Sequence, residues 1–232
     1  TMALPKINRP LFTITIPSTG QKTNFVPFSV KEEKILLIAQ ESKDIEQIIL
    51  GIKQIINNCV QDINVDELAT FDLEYIMINL RAKSVNNNVD FKIRDPDTDE
   101  EVELELDLND IEVSKDETHT NIIELGEGLQ MVMKYPRIEQ LAEITNSDSE
   151  ETMFNVMMDC VDSVVQGEEV FRLKDFTEQE VAEFIDSLSS IHVQEIKKFF
   201  DTMPKIRYEK KYRLKDGTEK TFVLEGTETF FI

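Results

Sequence analysis

Ile14-Thr-Ile-Pro-Ser-Thr-Gly-Gln-Lys-Thr-Asn-Phe-Val-Pro-Phe-Ser-Val-Lys-Glu-Glu-Lys-Ile-Leu-Leu-Ile-Ala39 reads as a strand, a tight turn, a second strand and then a helix. Residues 11–16 are rich in β-formers and alternate. Pro17, Ser18, Thr19 and Gly20 carry turn chemistry, because proline fixes φ and glycine tolerates positive φ. Residues 25–28 resume an extended run, and Pro27 is barred from a central ladder position. Ser29 is placed to cap the next helix, with Glu32 three residues on as in a capping box. The order of elements, rather than any catalytic signature, is what this stretch supplies.

Working outward, helical periodicity dominates the next fifty residues. Ile45, Ile48, Ile49, Ile52, Ile55, Ile56 and Cys59 recur at three- and four-residue steps and share one face. Gly51 inside that pattern predicts a close approach by another element. A further helix is expected over 71–82, with Leu73, Ile76, Met77 and Leu80 as its stripe and Thr70 as its cap. The middle of the chain changes period. Residues 89–94 alternate, 95–100 form an acidic turn, and Val102, Leu104, Leu106 and Leu108 alternate with Glu101, Glu103, Glu105 and Asp107. Further strands near 111–113, 121–125 and 129–135 predict a small antiparallel sheet.

The last third returns to helix. Met153, Val156, Met157, Cys160, Val161 and Val164 predict one helical stripe. Thr177 and Glu180 make a second capping box ahead of Val181, Phe184, Ile185 and Leu188. Val193, Ile196, Phe199, Phe200 and Met203 predict another helix, ended before Pro204. A hairpin over 206–224 turns at Asp216-Gly217. The fold class is α+β, with an N-terminal hairpin and helices, a central antiparallel segment, and C-terminal helices closing in a hairpin. The expected organisation is three regions, 1–85, 86–136 and 137–232, or one compact unit.

Bulk composition limits the function. The chain has 232 residues with Asp+Glu 46 against Lys+Arg 25, a net charge of −21. Such a surface repels phosphate backbones and anionic lipids, so nucleic acid and membranes are not expected partners, whereas a basic protein partner is permitted. Cys59 and Cys160 are expected to be small buried hydrophobes, with no disulfide framework, as suits a reducing compartment. The N-terminal residues hold no long apolar run, which argues against a signal peptide or membrane span there.

Enzyme templates fail one by one. Gly126 and Gly128 form a lone Gly-x-Gly around Glu127, which reads as a hairpin turn rather than a phosphate loop. Asp95, Asp97 and Asp99 resemble the opening of a calcium loop, but Glu100 stands where glycine is needed and Leu106 where a bidentate carboxylate is needed. His119 and His192 lack partners at metal-ligand spacing and read as surface or helix-end residues. No catalytic, cofactor-binding or metal residues are therefore assigned, and no enzyme activity, cofactor or small-molecule substrate is expected. Interaction surfaces are the better candidates. These are the acidic strand face of Glu101, Glu103 and Glu105, and the terminal Phe230, Phe231 and Ile232, which either pack on the chain's own core or insert into a partner. A helix carrying Met153, Met157 and Met158 is expected to fill core.

Three blocks carry a family resemblance: Phe12-Thr-Ile-Thr-Ile-Pro-Ser-Thr-Gly-Gln-Lys22, Val26-Pro-Phe-Ser-Val-Lys-Glu-Glu-Lys-Ile-Leu-Leu37 and Phe71-Asp-Leu-Glu-Tyr-Ile-Met-Ile-Asn-Leu-Arg-Ala-Lys-Ser84. In sequence, order and spacing they resemble the baseplate hub assembly proteins of T-even-type tailed bacteriophages. The ending Val223-Leu-Glu-Gly-Thr-Glu-Thr-Phe-Phe231 is similar to that family's close. The resemblance implies a late, non-enzymatic viral protein in the host bacterial cytoplasm and the tail baseplate. It would bind hub or tape-measure proteins as an assembly chaperone or hub subunit. Some related tail proteins carry a Cys-x-x-Cys knuckle in the last hairpin; here Arg213-Leu-Lys-Asp216 stands in its place, and no metal is expected. Two other readings have their own tests: an acidic DNA mimic that occupies a basic host protein, and a metal-dependent enzyme using Asp95, Asp97 and Asp99. The first would compete with duplex DNA, and the second would lose activity to a chelator.

Overall fold

The computed structural model describes residues 7–146 and 149–225, without the side chains of 144–146. The opening stretch forms β1 (Phe12–Thr15) and β2 (Lys22–Phe25), paired antiparallel with Phe12 opposite Phe25 and Thr15 opposite Lys22. The second strand lies earlier than residues 25–28. The turn closes tightly, with the Gly20 N–H donating to the Ile16 carbonyl at 2.8 Å, and the ladder ends before Pro27, which has no N–H to give.

Ser29 caps α1 (Val30–Ser42), and its capping box with Glu32 is formed. The helix stops at Lys43, which takes a left-handed φ of 53°. Asp44 caps α2 (Ile45–Cys59), whose buried residues are Ile49, Gly51, Ile52, Ile55, Ile56 and Cys59. Gly51 has the expected role: a Cβ there would lie 3.0 Å from the Ala39 Cβ and 3.5 Å from the Ile35 Cγ2, so α1 and α2 touch through the missing side chain.

α3 (Thr70–Ser84) departs from the amphipathic expectation, because Phe71, Asp72, Leu73, Glu74, Ile76, Met77, Ile78, Leu80 and Ala82 are all buried. A helix covered on nearly every side shows no single stripe. Thr70 is not its cap. The helix begins at Thr70, and the Asp72 carboxylate reaches back to accept the Ala69 N–H at 3.0 Å. The same carboxylate accepts the Ser18 N–H at 2.8 Å and the Ser18 hydroxyl at 2.5 Å, so the first hairpin's turn is fastened to the start of α3. At the other end, the Phe28 N–H donates to the Ser84 Oγ at 2.6 Å.

The middle strands all exist and are antiparallel, but they do not form one sheet. β3 (Asn88–Arg94) and β4 (Glu101–Asp107) pair only with each other, Arg94 opposite Glu101. β5 (Glu112–Ser114) pairs with β10 (Lys205–Arg213), and β10 pairs in turn with β11 (Glu219–Glu225). β6 (Ile122–Gly126) and β7 (Leu129–Met133) open a four-stranded antiparallel sheet continued by β8 (Val161–Gln166) and β9 (Glu169–Arg172). Gly126 and Gly128 sit at the β6–β7 turn with φ of 97° and 75°, a hairpin turn as expected.

The helical stripe anticipated through Val164 ends early. α4 (Ile138–Asn146) and α5 (Glu150–Asp159) precede Cys160, which is the C-cap, and Val161 starts a strand. Val161, Val164 and Val165 are β-branched, and here pairing in the sheet overrides the three-to-four spacing. The methionines are shared out differently too: Met158 is buried while Met153 is exposed. α6 (Glu178–Asp186) follows the Thr177–Glu180 capping box, and α7 (Ser190–Thr202) ends at Met203 before Pro204.

The chain divides into two compact units, one running to Ser114 and resuming at Lys205, the other spanning Lys115–Pro204. These boundaries differ from breaks at 85 and 136. The first unit has apolar clusters in which Ile78 and Ala82 of α3 meet Leu106, Leu108, Ile111, Ile206 and Tyr208. The second packs Ile123, Met131, Met133, Met158, Cys160, Val161, Ile196 and Phe199 together.

Asp72→Ala is expected to leave the buried Ala69 amide without a partner, at about 1–3 kcal/mol, and to release the half-buried Ser18 amide at a smaller cost. Gly51→Val is expected to cost about 1–3 kcal/mol by overpacking against Ala39. Urea unfolding of each variant checks both, and wild-type stability in either would refute the corresponding contact.

Candidate functional site

The acidic face predicted on β4 is real. Glu101, Glu103 and Glu105 are exposed on alternate positions while Leu104 and Leu106 are buried. Its charge is partly answered from β3. Lys92 Nζ lies 2.8 Å from Glu101 and 3.2 Å from Glu103, and the Asn88 amide donates to Glu105 at 2.7 Å. Hydrogen bonds from Lys92 hold Glu101 below the usual carboxylate range. Asp90 stands directly opposite Glu105, so negative charge concentrates towards that end of the ribbon. Phe230, Phe231 and Ile232, the other expected contact residues, lie outside the described residues.

The Asp95, Asp97 and Asp99 turn has a different use from cation binding. Asp95 is 1% exposed. Its carboxylate accepts the N–H groups of Asp97 at 3.1 Å and Thr98 at 3.0 Å, which shapes the turn. It also accepts the Tyr212 hydroxyl at 2.6 Å and both oxygens lie 2.8 Å from Lys220 Nζ. Lys220 also reaches Asp97 at 2.6 Å. The loop's cation is therefore the protein's own ammonium. Asp99 turns away, towards Arg94 at 3.5 Å. Lys220 and Tyr212 hold the Asp95 carboxyl well below its ordinary range, and the two carboxylates hold the lysine well above its own. The β10–β11 turn leans on the same place, its Lys215 N–H donating to Glu100 at 3.2 Å. Residues 213–216 thus belong to a clasp between two hairpin tips.

The histidines are engaged as well. His119 is half-buried, not on the open surface as expected. Its Nδ1 lies 2.9 Å from the Thr202 Oγ1 and its Nε2 2.9 Å from the Tyr135 hydroxyl. Thr202 already donates to the Lys198 carbonyl at 2.7 Å, so Nδ1 carries the proton and Nε2 accepts from Tyr135. The ring stacks on Tyr135 at 5.7 Å, and burial pushes its pKa below the ordinary imidazole value. His192 meets the expectation of a helix-end residue, its Nδ1 accepting the Ser189 N–H at 3.2 Å.

Cys59 and Cys160 are both buried as expected. Burial, with Glu32 nearby, raises the Cys59 thiol to about 11, and burial raises Cys160 to about 12. Neither is a thiolate near neutral pH, so neither is poised as a nucleophile or soft ligand. Among the described residues, no group of three or more His, Cys, Asp or Glu side chains is arranged to hold a metal ion. No described helix is long and apolar enough to cross a membrane.

What does stand out is apolar surface on α1. Val30, Leu37 and Ile38 are 68%, 57% and 68% exposed. Val30, Lys34, Leu37 and Glu41 follow helical spacing and share the face opposite the one that meets Gly51. Sequence periodicity concealed this, because α1 is apolar on two sides and shows no clear polar face.

Asp95→Asn is expected to remove a pH dependence. A carboxyl depressed on folding adds stability that is complete above its unfolded value of about 4 and is lost as pH falls below it. Wild type should therefore exceed Asp95→Asn in melting temperature at pH 6, by a margin that narrows steadily from pH 4 to pH 2. A constant margin would contradict the Lys220 pairing.

No curated protein sequence and no solved structure matches the chain. A family described as T4 bacteriophage base plate protein matches residues 9–232, so that both compact units fall within one alignment. The chain belongs to that family of T4-type phage baseplate proteins.

Proposed function

We infer that the protein helps to build the central hub of a contractile tail, binding hub or tape-measure proteins as an assembly chaperone or as a hub subunit. It acts in the host bacterial cytoplasm while the tail is put together, and in the baseplate itself. Family membership supplies the setting. The observation that carries the role is the exposure of the neighbouring Leu37 and Ile38 on α1, with Val30 two turns earlier, since large apolar side chains gathered in solvent on one helix mark a contact with another macromolecule.

Two further observations support binding over chemistry. Both histidines and both cysteines among the described residues are held in structural contacts or buried. The carboxylates that most resemble a metal loop already share the Lys220 ammonium. The negative potential of a −21 chain then serves to steer a basic partner, with Glu101, Glu103 and Glu105 as contributors. Exposed charges act mainly on encounter rate and salt dependence, while the apolar face supplies most of the affinity.

Affinity capture from infected cells is expected to recover a hub or tape-measure protein, with recovery falling as salt rises from 50 to 500 mM. Leu37→Lys with Ile38→Lys should lower recovery at least tenfold at unchanged melting temperature. Glu101→Gln, Glu103→Gln and Glu105→Gln together should flatten the salt dependence. Capture that is indifferent to every tail protein would sink the reading. Mass spectrometry of purified virions separates a subunit that stays from a chaperone that leaves.

A further inference from the structure

The second unit contains an open cavity of about 410 Å³. Its floor is the sheet, through Val164 of β8 and Phe171 of β9, and its wall is α6, through Val181 and Phe184. Phe176, in the link between β9 and α6, closes one side, its ring 6.3 Å from that of Phe171. Phe171 is 36% exposed and Phe176 43% exposed. The volume lies within the range of about 300–1,000 Å³ typical of sites that take a ligand or an anchoring side-chain cluster.

The rim is acidic. Glu180 and Glu183 of α6 line the opening. Thr177 donates its N–H and hydroxyl to Glu180 at 2.9 and 2.8 Å, which holds that carboxyl below the ordinary range and keeps it charged. Around them the sequence adds Glu168, Glu169, Asp175, Glu178 and Asp186 against only Arg172 and Lys174. An apolar floor inside an acidic rim selects a complementary occupant, namely bulky apolar side chains flanked by lysine or arginine. A second copy of this chain, at −21, brings the wrong sign. So does its own terminal Phe230-Phe231-Ile232, which follows Glu225 and Glu228.

We propose that the cavity between the β8–β9 hairpin and α6 is a docking groove for a basic, amphipathic segment of another protein. Aromatic or aliphatic side chains of that segment fill the space over Val164 and Phe171, and its cationic residues meet Glu180 and Glu183. The groove belongs to the second unit, whereas the α1 face belongs to the first, so the chain carries two separate contact surfaces. The proposal stands apart from the hub reading, because its partner is defined by chemistry and not by identity.

The test uses the full chain and two fluorescein-labelled peptides, KKLFKALFKK and its acidic counterpart EELFEALFEE, followed by fluorescence anisotropy. The basic peptide is expected to bind saturably and the acidic one not to bind. Phe176→Asp should weaken binding at least tenfold and Glu183→Lys at least threefold, both with a melting temperature near that of wild type. A control variant with Glu46→Gln, Glu67→Gln and Asp110→Asn, three exposed carboxylates of the first unit, should leave binding within twofold, which separates the groove from general attraction to an acidic protein. Should Phe176→Asp fail to fold, Glu183→Lys carries the test alone. Equal binding of both peptides, or binding unmoved by the groove variants, overturns the proposal. So does tighter peptide binding after removal of residues 230–232, which would make the chain's own end the occupant. A self-association abolished by Phe176→Asp would assign the groove to a second copy and overturn it likewise.

Discussion

The closure of the first unit around its last hairpin depends on one strand pairing between distant parts of the chain. Glu112, Val113 and Ser114 of β5 lie opposite Arg207, Ile206 and Lys205 of β10. The pairing is short, three residues a side, but it delivers Ile206 and Tyr208 into the cluster built on Ile78, Ala82, Leu106, Leu108 and Ile111. Ile206 is fully buried there. Burying a side chain of that size contributes about 1.5–3 kcal/mol, and ordering a loop of this length adds only slowly to the entropic cost. The pairing also sets the architecture, because the chain leaves the first unit after β5 and returns to it at β10 with the whole second unit in between.

Acidic residues in this protein divide into two populations, and the net charge alone conceals the split. Asp72, Asp95 and Glu32 are buried and each has several donors. At Asp72 burial raises the carboxyl's pKa while Ser18 and Ala69 oppose it; three donors in good geometry fit the ionised form. At Glu32 burial acts the same way, but the Ser29 donors and Arg9 prevail and the pKa is lowered. These groups hold turns and helix starts in place, as buried charge must when it is retained. The exposed carboxylates, on β4 and α6 above all, face solvent and generate the field that a partner would feel.

Local structure was largely legible in the residues. Ser29 with Glu32 and Thr177 with Glu180 announced two helix starts, the isoleucines of α2 announced their buried face, and Gly51 announced a close contact. Pairing over distance was not. Nothing in Glu112-Val-Ser114 distinguishes a nearby partner from one ninety-one residues away, and the middle strands accordingly scattered into three sheets. The helix-to-strand switch at Cys160 was hidden because Val161 and Val164 stand three apart, a helical spacing that continues the stripe of α5. The Asp95 turn was ambiguous for a related reason: its fourth party, Lys220, lies 125 positions along the chain. The three blocks that carry the family resemblance turn out to meet in space, through Ser18 with Asp72 and Phe28 with Ser84, which gives their order a physical cause.

The placement of the second unit between β5 and β10 has a consequence for biosynthesis. A ribosome that has just released Ser114 must still translate residues 115–204 before β10 can emerge. At about 5–20 residues per second, that delay is on the order of 5–20 s. Meanwhile Leu106, Leu108 and Ile111 are without Ile206 and Tyr208, and β5 is an unpaired edge. The second unit, continuous in sequence, can complete itself on the nascent chain, whereas the first must wait for its final hairpin. The N-terminal part of the first unit is thus made first and finished last, and a chain that stops just after Pro204 holds a second unit able to fold and a first unit left open.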